Sequence, residues 1–172
     1  KGQKIGKLNL KIHFIPLLML FIPQVTNKVY NLLDTTMLGA IVANKKETGY
    51  YEQSQKVIRL LITIVTSLGV VMIPRVASIY ASGDNKKINN YIKNSFTFVF
   101  FISFPMMFGI GSISKDFVPI FFGNGYEKAA TLIMIFCPMI LLMGIENVIG
   151  TQYMLPTKRQ KEYTISVVVG VF

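Results

Sequence analysis

Long apolar stretches interrupted by charged residues are the feature that most limits how this chain can fold. A helix needs about 20 mostly apolar residues to cross the roughly 30 Å hydrocarbon core of a bilayer. Four stretches reach that length and a fifth begins near the end, at residues 12–42, 50–80, 91–114, 129–156 and from 163 onward. Lipid offers the backbone no hydrogen-bond partners, and these runs are continuous rather than alternating, so helices are expected rather than barrel strands. We predict an all-α fold, a polytopic transmembrane helical bundle with four complete spans and the start of a fifth, as one region over residues 1–172.

The composition agrees with a membrane protein and disfavours two other classes. Hydrophobic residues make up 52% of the chain, and the formal net charge is +10. This positive charge punctuates the spans instead of forming a basic soluble surface, so nucleic acid is not an expected partner. The single cysteine, Cys137, lies among apolar residues within the fourth span, which leaves no disulfide framework or cysteine metal site.

The connections between the spans differ in their basic residues. Alternate connections carry ten: Lys1, Lys4, Lys7, Lys11, Lys86, Lys87, Lys93, Lys158, Arg159 and Lys161. The opposite connections carry four: Lys45, Lys46, Lys115 and Lys128. By the positive-inside rule, the first set and the N-terminal end are expected in the cytoplasm. Because the sequence begins without methionine and stops inside an apolar run, we interpret it as a piece of a longer protein.

Polar residues of the first span share one face of the expected helix. Four recur at spacings of four, three and four residues, and two more lie beside them: Gln24, Lys28, Asn31 and Thr35, with Asn27 and Asp34. A polar stripe of this length cannot face lipid. It either lines an aqueous cavity or packs against polar partners on other helices.

The second span repeats this pattern with more charge. Glu52, Lys56 and Arg59 fall on one face, and Arg59 lies deepest in the span. Glu52 and Lys56 lie near the outer end, where they either line the cavity or extend to the interface. Arg75 lies near the cytoplasmic end and would contact a phosphate or anchor the helix at lipid headgroups.

Glu146 is an acidic residue inside the fourth span. A carboxyl group in low-dielectric surroundings holds its proton more readily, which suits a proton-coupling site. The alternative is a neutral or paired carboxyl that locks helix packing. The sequence has no glycine-rich phosphate loop, nucleophile elbow or metal-spaced cluster, so we expect neither an enzyme, a cofactor nor a metal.

Five stretches of the chain carry a resemblance to a known family. They are YNLLDTTMLG (30–39), GYYEQSQK (49–56), TSLGVVMIPR (66–75), FGNGYEKA (122–129) and GTQYMLP (150–156). In this order, between matching spans, they resemble a Wzx-type polysaccharide flippase of the multidrug/oligosaccharidyl-lipid/polysaccharide exporter (MATE-like) superfamily. The resemblance covers nearly the whole chain from about residue 12.

This resemblance implies two six-helix halves around a central cavity, with the present chain starting the second half. It implies movement of a polyprenyl-diphosphate-linked oligosaccharide between the leaflets of the bacterial cytoplasmic membrane, for capsule or other surface polysaccharide. Membrane lipids are implied partners, and polysaccharide polymerase or glycosyltransferase machinery is a further candidate.

Roles for individual residues follow from the same resemblance. Lys28 and Arg59 would bind the diphosphate, and Asp34 or Glu146 would respond to protons or sodium. Sugar contacts would come from the neighbouring amides, namely Gln24, Asn27 and Asn31. The alternatives are a cation-coupled drug or metabolite exporter, a lipid II-type flippase and a non-transporting scaffold whose buried charges only assemble helices.

Overall fold

The computed structural model describes the backbone of residues 10–42 and 45–171. It describes the side chains of residues 21–42 and 46–170, apart from those of residues 23, 27 and 31. The helical segments in this part of the chain are α1 (Leu10–Ile41), α2 (Lys45–Ala81), α3 (Asn85–Phe122), α4 (Glu127–Phe136), α5 (Pro138–Glu146), a π-helical segment (Asn147–Met154) and α6 (Gln160–Val171).

Within the described residues, three helices are long and apolar enough to cross a membrane. They are Lys46–Ala81, Asn85–Phe122 and Glu127–Met154, and the last combines α4, α5 and the π-helical segment. The protein is therefore a multi-pass helical membrane protein. The predicted first and fifth spans fall on α1 and α6. That these two helices cross the membrane, the total number of spans and the MATE-like arrangement all stay predictions.

The helices extend further than the apolar runs that predict them. The predicted second span begins at residue 50, but α2 already begins at Lys45. The connection expected over residues 81–90 shortens to three residues, because Asp84 caps α3 by accepting a hydrogen bond from the Lys87 backbone N–H at 3.0 Å. Polar residues at the helix ends thus join the helices once their backbone groups are capped.

The same difference occurs at the other end of α3. The predicted third span ends at residue 114, yet α3 continues through Lys115 and Asp116 to Phe122. Apolar residues beyond this charged pair keep the helical pattern. The helix then ends at Gly123 and Gly125, whose φ angles of 84° and 99° favour glycine.

Small residues let the three long helices approach each other closely. Ser54 of α2 is fully buried, and its hydroxyl lies 3.1 Å from the Ala129 carbonyl oxygen of α4. A Cβ placed at Gly144 of α5 would lie 2.7 Å from Val99 Cγ1 and 2.9 Å from Val65 Cγ1. Membrane helices associate through such close packing, since lipid supplies no hydrophobic drive between them.

The membrane helix Glu127–Met154 changes its geometry twice along its length. Pro138 separates α4 from α5, because proline has no N–H to continue the helix. Further on, the backbone widens into the π-helical segment, where fully buried Gln152 donates to Asn147 Oδ1 at 3.1 Å. At the start of α4, Lys128 forms an ion pair with Glu47 of α2. The helix Glu127–Met154 is thus anchored near its first residues and irregular towards its end.

Gly144→Ala tests the close packing of α2, α3 and α5. The added methyl group would clash with Val65 and Val99, and such overpacking costs about 1–3 kcal/mol. We expect a lower unfolding temperature for the detergent-purified protein. Gly109→Ala is the matched control, since a Cβ there meets nothing within 4 Å. Equal unfolding temperatures for the two variants would contradict this packing.

Candidate functional site

A cavity of about 1030 Å³ opens between α1, α2, α5 with its π-helical extension, and α6. Each of α1, α2, α5 and α6 contributes polar side chains to its lining. These residues are Tyr30, Asp34, Tyr51, Gln55, Arg59, Thr63, Glu146, Tyr163 and Ser166. A polar cavity in a membrane protein can hold groups that the surrounding lipid would reject.

On α2, polar lining residues follow each other at a regular spacing along one side of the helix. Tyr51, Gln55, Arg59 and Thr63 are spaced four residues apart, so they follow each other along one side of the helix. The candidate span Lys46–Ala81 has 36 residues, and Arg59 lies about 7 Å from its midpoint at 1.5 Å per residue. The guanidinium group is therefore carried near the centre of a membrane helix.

Hydrogen bonds connect this row to an acidic residue of α1. The Tyr51 hydroxyl donates to Asp34 Oδ2, and Gln55 Nε2 lies 2.7 Å from the Tyr51 oxygen and 3.4 Å from Asp34 Oδ2. Arg59 Nη2 donates to Gln55 Oε1 at 2.7 Å. A connected polar chain thus crosses from α1 to α2 and ends at a cation.

The opposite side of the cavity carries a second carboxylate. Glu146 lies at the end of α5, close to Tyr163 of α6. A Cβ at Gly150 would lie 2.6 Å from Tyr163 Cε2 and 2.9 Å from Glu146 Oε1, so only glycine leaves room there. Gly150 belongs to the π-helical segment, and such segments are frequent at functional sites.

Apolar side chains fill the remaining walls. The Tyr51 and Phe136 rings pack edge to face with centroids 5.4 Å apart, which fixes the tyrosine ring at the cavity surface. Three methionines add flexible apolar surface: Met139, Met143 and Met154. The cavity is therefore amphipathic, with polar groups along α2 and apolar groups from α4, α5 and the π-helical segment.

The structure brings three of the residues predicted from the sequence to this cavity and places three others outside its lining. Asp34, Arg59 and Glu146 line it. Three others are exposed and outside its lining: Gln24, Lys28 and Arg75. The side chains of Asn27 and Asn31 lie outside the described residues.

The position of Lys28 has a geometric cause. It precedes Asp34 by six residues, which separates the two side chains by about 120° around a helix of 3.6 residues per turn. When Asp34 points to α2, Lys28 therefore points away. Of the two cations expected to bind a diphosphate together, this cavity holds only Arg59.

Tyr51 and Gln55 are two of the polar cavity residues that the sequence analysis missed. That analysis placed Arg59 with Glu52 and Lys56, which are exposed and do not line the cavity. The four-residue spacing of Tyr51, Gln55 and Arg59 was the available signal. Uncharged residues give a weaker signal than intramembrane charge, which is the stronger indicator of function.

Comparison with known proteins identifies relatives of this chain. A family described as "Polysaccharide biosynthesis protein" matches residues 12–131. The lipid II flippase MurJ of Bacillus subtilis (strain 168) is 24% identical over 120 residues, which cover 68% of this chain and 22% of that protein. A probable low-salt glycan biosynthesis flippase, Agl15 of Haloferax volcanii, is 23% identical over 121 residues, which cover 70% of this chain and 25% of the relative.

These matches concern one part of larger proteins. The aligned stretch spans 22% and 25% of the two relatives' own lengths. No solved structure matches the chain. The family match nevertheless covers 120 of 172 residues, on a chain whose described residues form a helical membrane bundle. The chain therefore belongs to the polysaccharide biosynthesis protein family.

Proposed function

We propose that this chain is part of a flippase that moves a polyprenyl-diphosphate-linked saccharide across the cytoplasmic membrane. The observation that carries the proposal is Arg59, a cation near the middle of a membrane helix that lines a large amphipathic cavity. The names of the two relatives, one a lipid II flippase and one a probable glycan biosynthesis flippase, support the same class of transport. Capsule or another surface polysaccharide is the proposed destination of the saccharide.

The physical requirement of such transport fits this cavity. A saccharide and its diphosphate lose their hydration in hydrocarbon, and a buried charge without a partner is very costly. A guanidinium group can bind phosphate oxygens in a fixed geometry and is more weakly hydrated than an ammonium group. Arg59 would therefore bind the diphosphate, while Gln55 and Thr63 lie on the same row to meet polar groups nearby.

The remaining predicted residues take other roles in this proposal. Gln24 and Lys28 lie on the exposed side of α1. They would contact the cargo only if another part of the whole protein completes a cavity on that side. Arg75 is exposed at the far end of α2 and would contact phosphates at entry or anchor at headgroups. Asp34 and Glu146 are the candidates for coupling to protons or sodium.

A second candidate is a cation-coupled exporter of a drug or metabolite. The described cavity lining contains two carboxylates, Asp34 and Glu146, against one guanidinium, Arg59. An acidic excess suits cationic cargo. However, the Asp34 carboxylate already accepts hydrogen bonds from Tyr51 and Gln55, which reduces its availability to a cation.

Arg59→Ala tests the flippase directly. We expect the transport rate of a fluorescent polyprenyl-diphosphate disaccharide in proteoliposomes to fall about ten- to hundredfold, because a hydrogen bond to a charged group contributes roughly 1.5–3 kcal/mol. The intact protein is reconstituted, and quenching of the label by external dithionite reports transport. Lys56→Ala is the matched control, an exposed cation on the same helix outside the cavity.

The same vesicles separate the two candidate functions. Transport of the disaccharide without efflux of ethidium supports the flippase. Efflux of ethidium driven by an ion gradient, with no movement of the disaccharide, would replace the proposal with the cation-coupled exporter. Equal loss in Arg59→Ala and Lys56→Ala would remove Arg59 from the binding site.

The orientation of the chain gives an independent prediction. In a Cys137→Ser background, Ser82→Cys should react with a membrane-impermeant maleimide only after the cytoplasmic face is opened. Asn124→Cys should react in intact cells, because α3 separates these two exposed positions by its full length. The excess of Lys and Arg near residue 82 is the reason for this direction. The reverse labelling pattern would invert the proposed topology.

A further inference from the structure

The hydrogen bonds between Asp34 and Arg59 all run in one direction. Arg59 donates to Gln55, Gln55 donates to Tyr51, and Tyr51 donates to Asp34. The two ends dictate this order, because arginine has only donors and an ionised carboxylate only acceptors. Between these two ends, the Gln55 amide accepts through its oxygen and donates through its nitrogen. The Tyr51 hydroxyl accepts from Gln55 and donates to Asp34.

This order allows only one orientation of the Gln55 amide. The single Tyr51 proton is given to Asp34, so the tyrosine oxygen must accept from its other neighbour. The amide nitrogen of Gln55 therefore faces Tyr51, and its carbonyl oxygen faces Arg59. Both ends of the amide are satisfied at once, and turning it over would break both bonds.

From this geometry we infer that Tyr51 and Gln55 are positioning residues for Arg59. They orient its guanidinium group in the cavity by connecting it to the Asp34 carboxylate through one directed hydrogen-bond chain. This inference rests on the proposed function, in which Arg59 binds the diphosphate. It gives Asp34 the role of an anchor for the chain, in place of ion coupling.

Positioning matters because arginine is a long and flexible side chain. It loses rotamer freedom when it is fixed in one geometry. A guanidinium group that Gln55 already orients loses less of this freedom when the cargo binds. The ring of Tyr51 packs against Phe136, so this contact also fixes the hydrogen-bond chain in place.

The roles of Asp34 as anchor and as ion-coupling residue predict different results for substitution. Asp34→Asn keeps an oxygen that accepts from Tyr51 and Gln55, so it preserves a weaker chain. Asp34→Ala removes the anchor. Under ion coupling, the charge itself is required, and both substitutions would have the same effect.

The test measures binding of farnesyl diphosphate, a short polyprenyl diphosphate, to the intact protein in detergent. Tyr51→Phe removes one hydroxyl and keeps the ring on Phe136. We expect its Kd to rise about tenfold, as for the loss of one charge-linked hydrogen bond. Asp34→Ala should match it, and Asp34→Asn should weaken binding only about threefold because neutral hydrogen bonds have about half the strength.

The control is Tyr50→Phe, which loses the same hydroxyl group one residue earlier. Tyr50 packs edge to face on Tyr126 with ring centroids 5.4 Å apart and takes no part in the chain. Its Kd should equal that of the unmutated protein. Combining Tyr51→Phe with Gln55→Leu should add nothing to either single change, since both interrupt one chain.

Two results would overturn the inference alone while the unmutated protein binds the probe. One is an unchanged Kd in Tyr51→Phe, whether or not its unfolding temperature falls. The other is equal losses in Asp34→Asn and Asp34→Ala. Absence of binding by the unmutated protein at millimolar farnesyl diphosphate would overturn the proposed function and this inference together.

Discussion

The absence of water in the hydrocarbon core is the constraint on which the rest of this structure depends. Backbone groups meet it by forming long helices. Some buried polar groups meet it by finding partners within the protein, as the Ser54 hydroxyl does on the Ala129 carbonyl and the Gln152 amide nitrogen does on Asn147 Oδ1. The chain from Arg59 to Asp34 follows the same rule, and it joins opposite charges through neutral groups instead of by direct contact.

Such pairing requires helices that lie very close together. Gly144 permits this at the centre of the bundle, where two valines occupy the space of an absent side chain. Gly150 permits it at the cavity, where Tyr163 and Glu146 meet the π-helical segment. The close approach of these helices therefore depends on glycine at both positions, since a bulkier residue would push the neighbouring groups away.

The sequence predicted the helical class and three of the cavity residues, and it missed others for physical reasons. Asp34, Arg59 and Glu146 could be found because charge within an apolar run is costly and so indicates a site. Lys28 shared that signal, but the direction of its side chain depends on the orientation of α1 about its own axis relative to α2. Tyr51 and Gln55 are uncharged. Their four-residue spacing to Arg59 places them on the same side of α2, but their contact with Asp34 follows only from the three-dimensional structure. The long helix ends were missed because capping by Asp84, unlike hydropathy, depends on local geometry.

The length of the helices has a consequence for the ion pair between Glu47 and Lys128. At 1.5 Å per residue, the 38 residues of α3 extend about 57 Å, well beyond a hydrocarbon core of about 30 Å. The ends of such helices reach the aqueous layer, and the partly exposed pair lies at one of those ends. Dissolved ions screen charges there far more than within the membrane. The attachment of α2 to α4 at this end therefore weakens as the salt concentration of the adjoining solution rises.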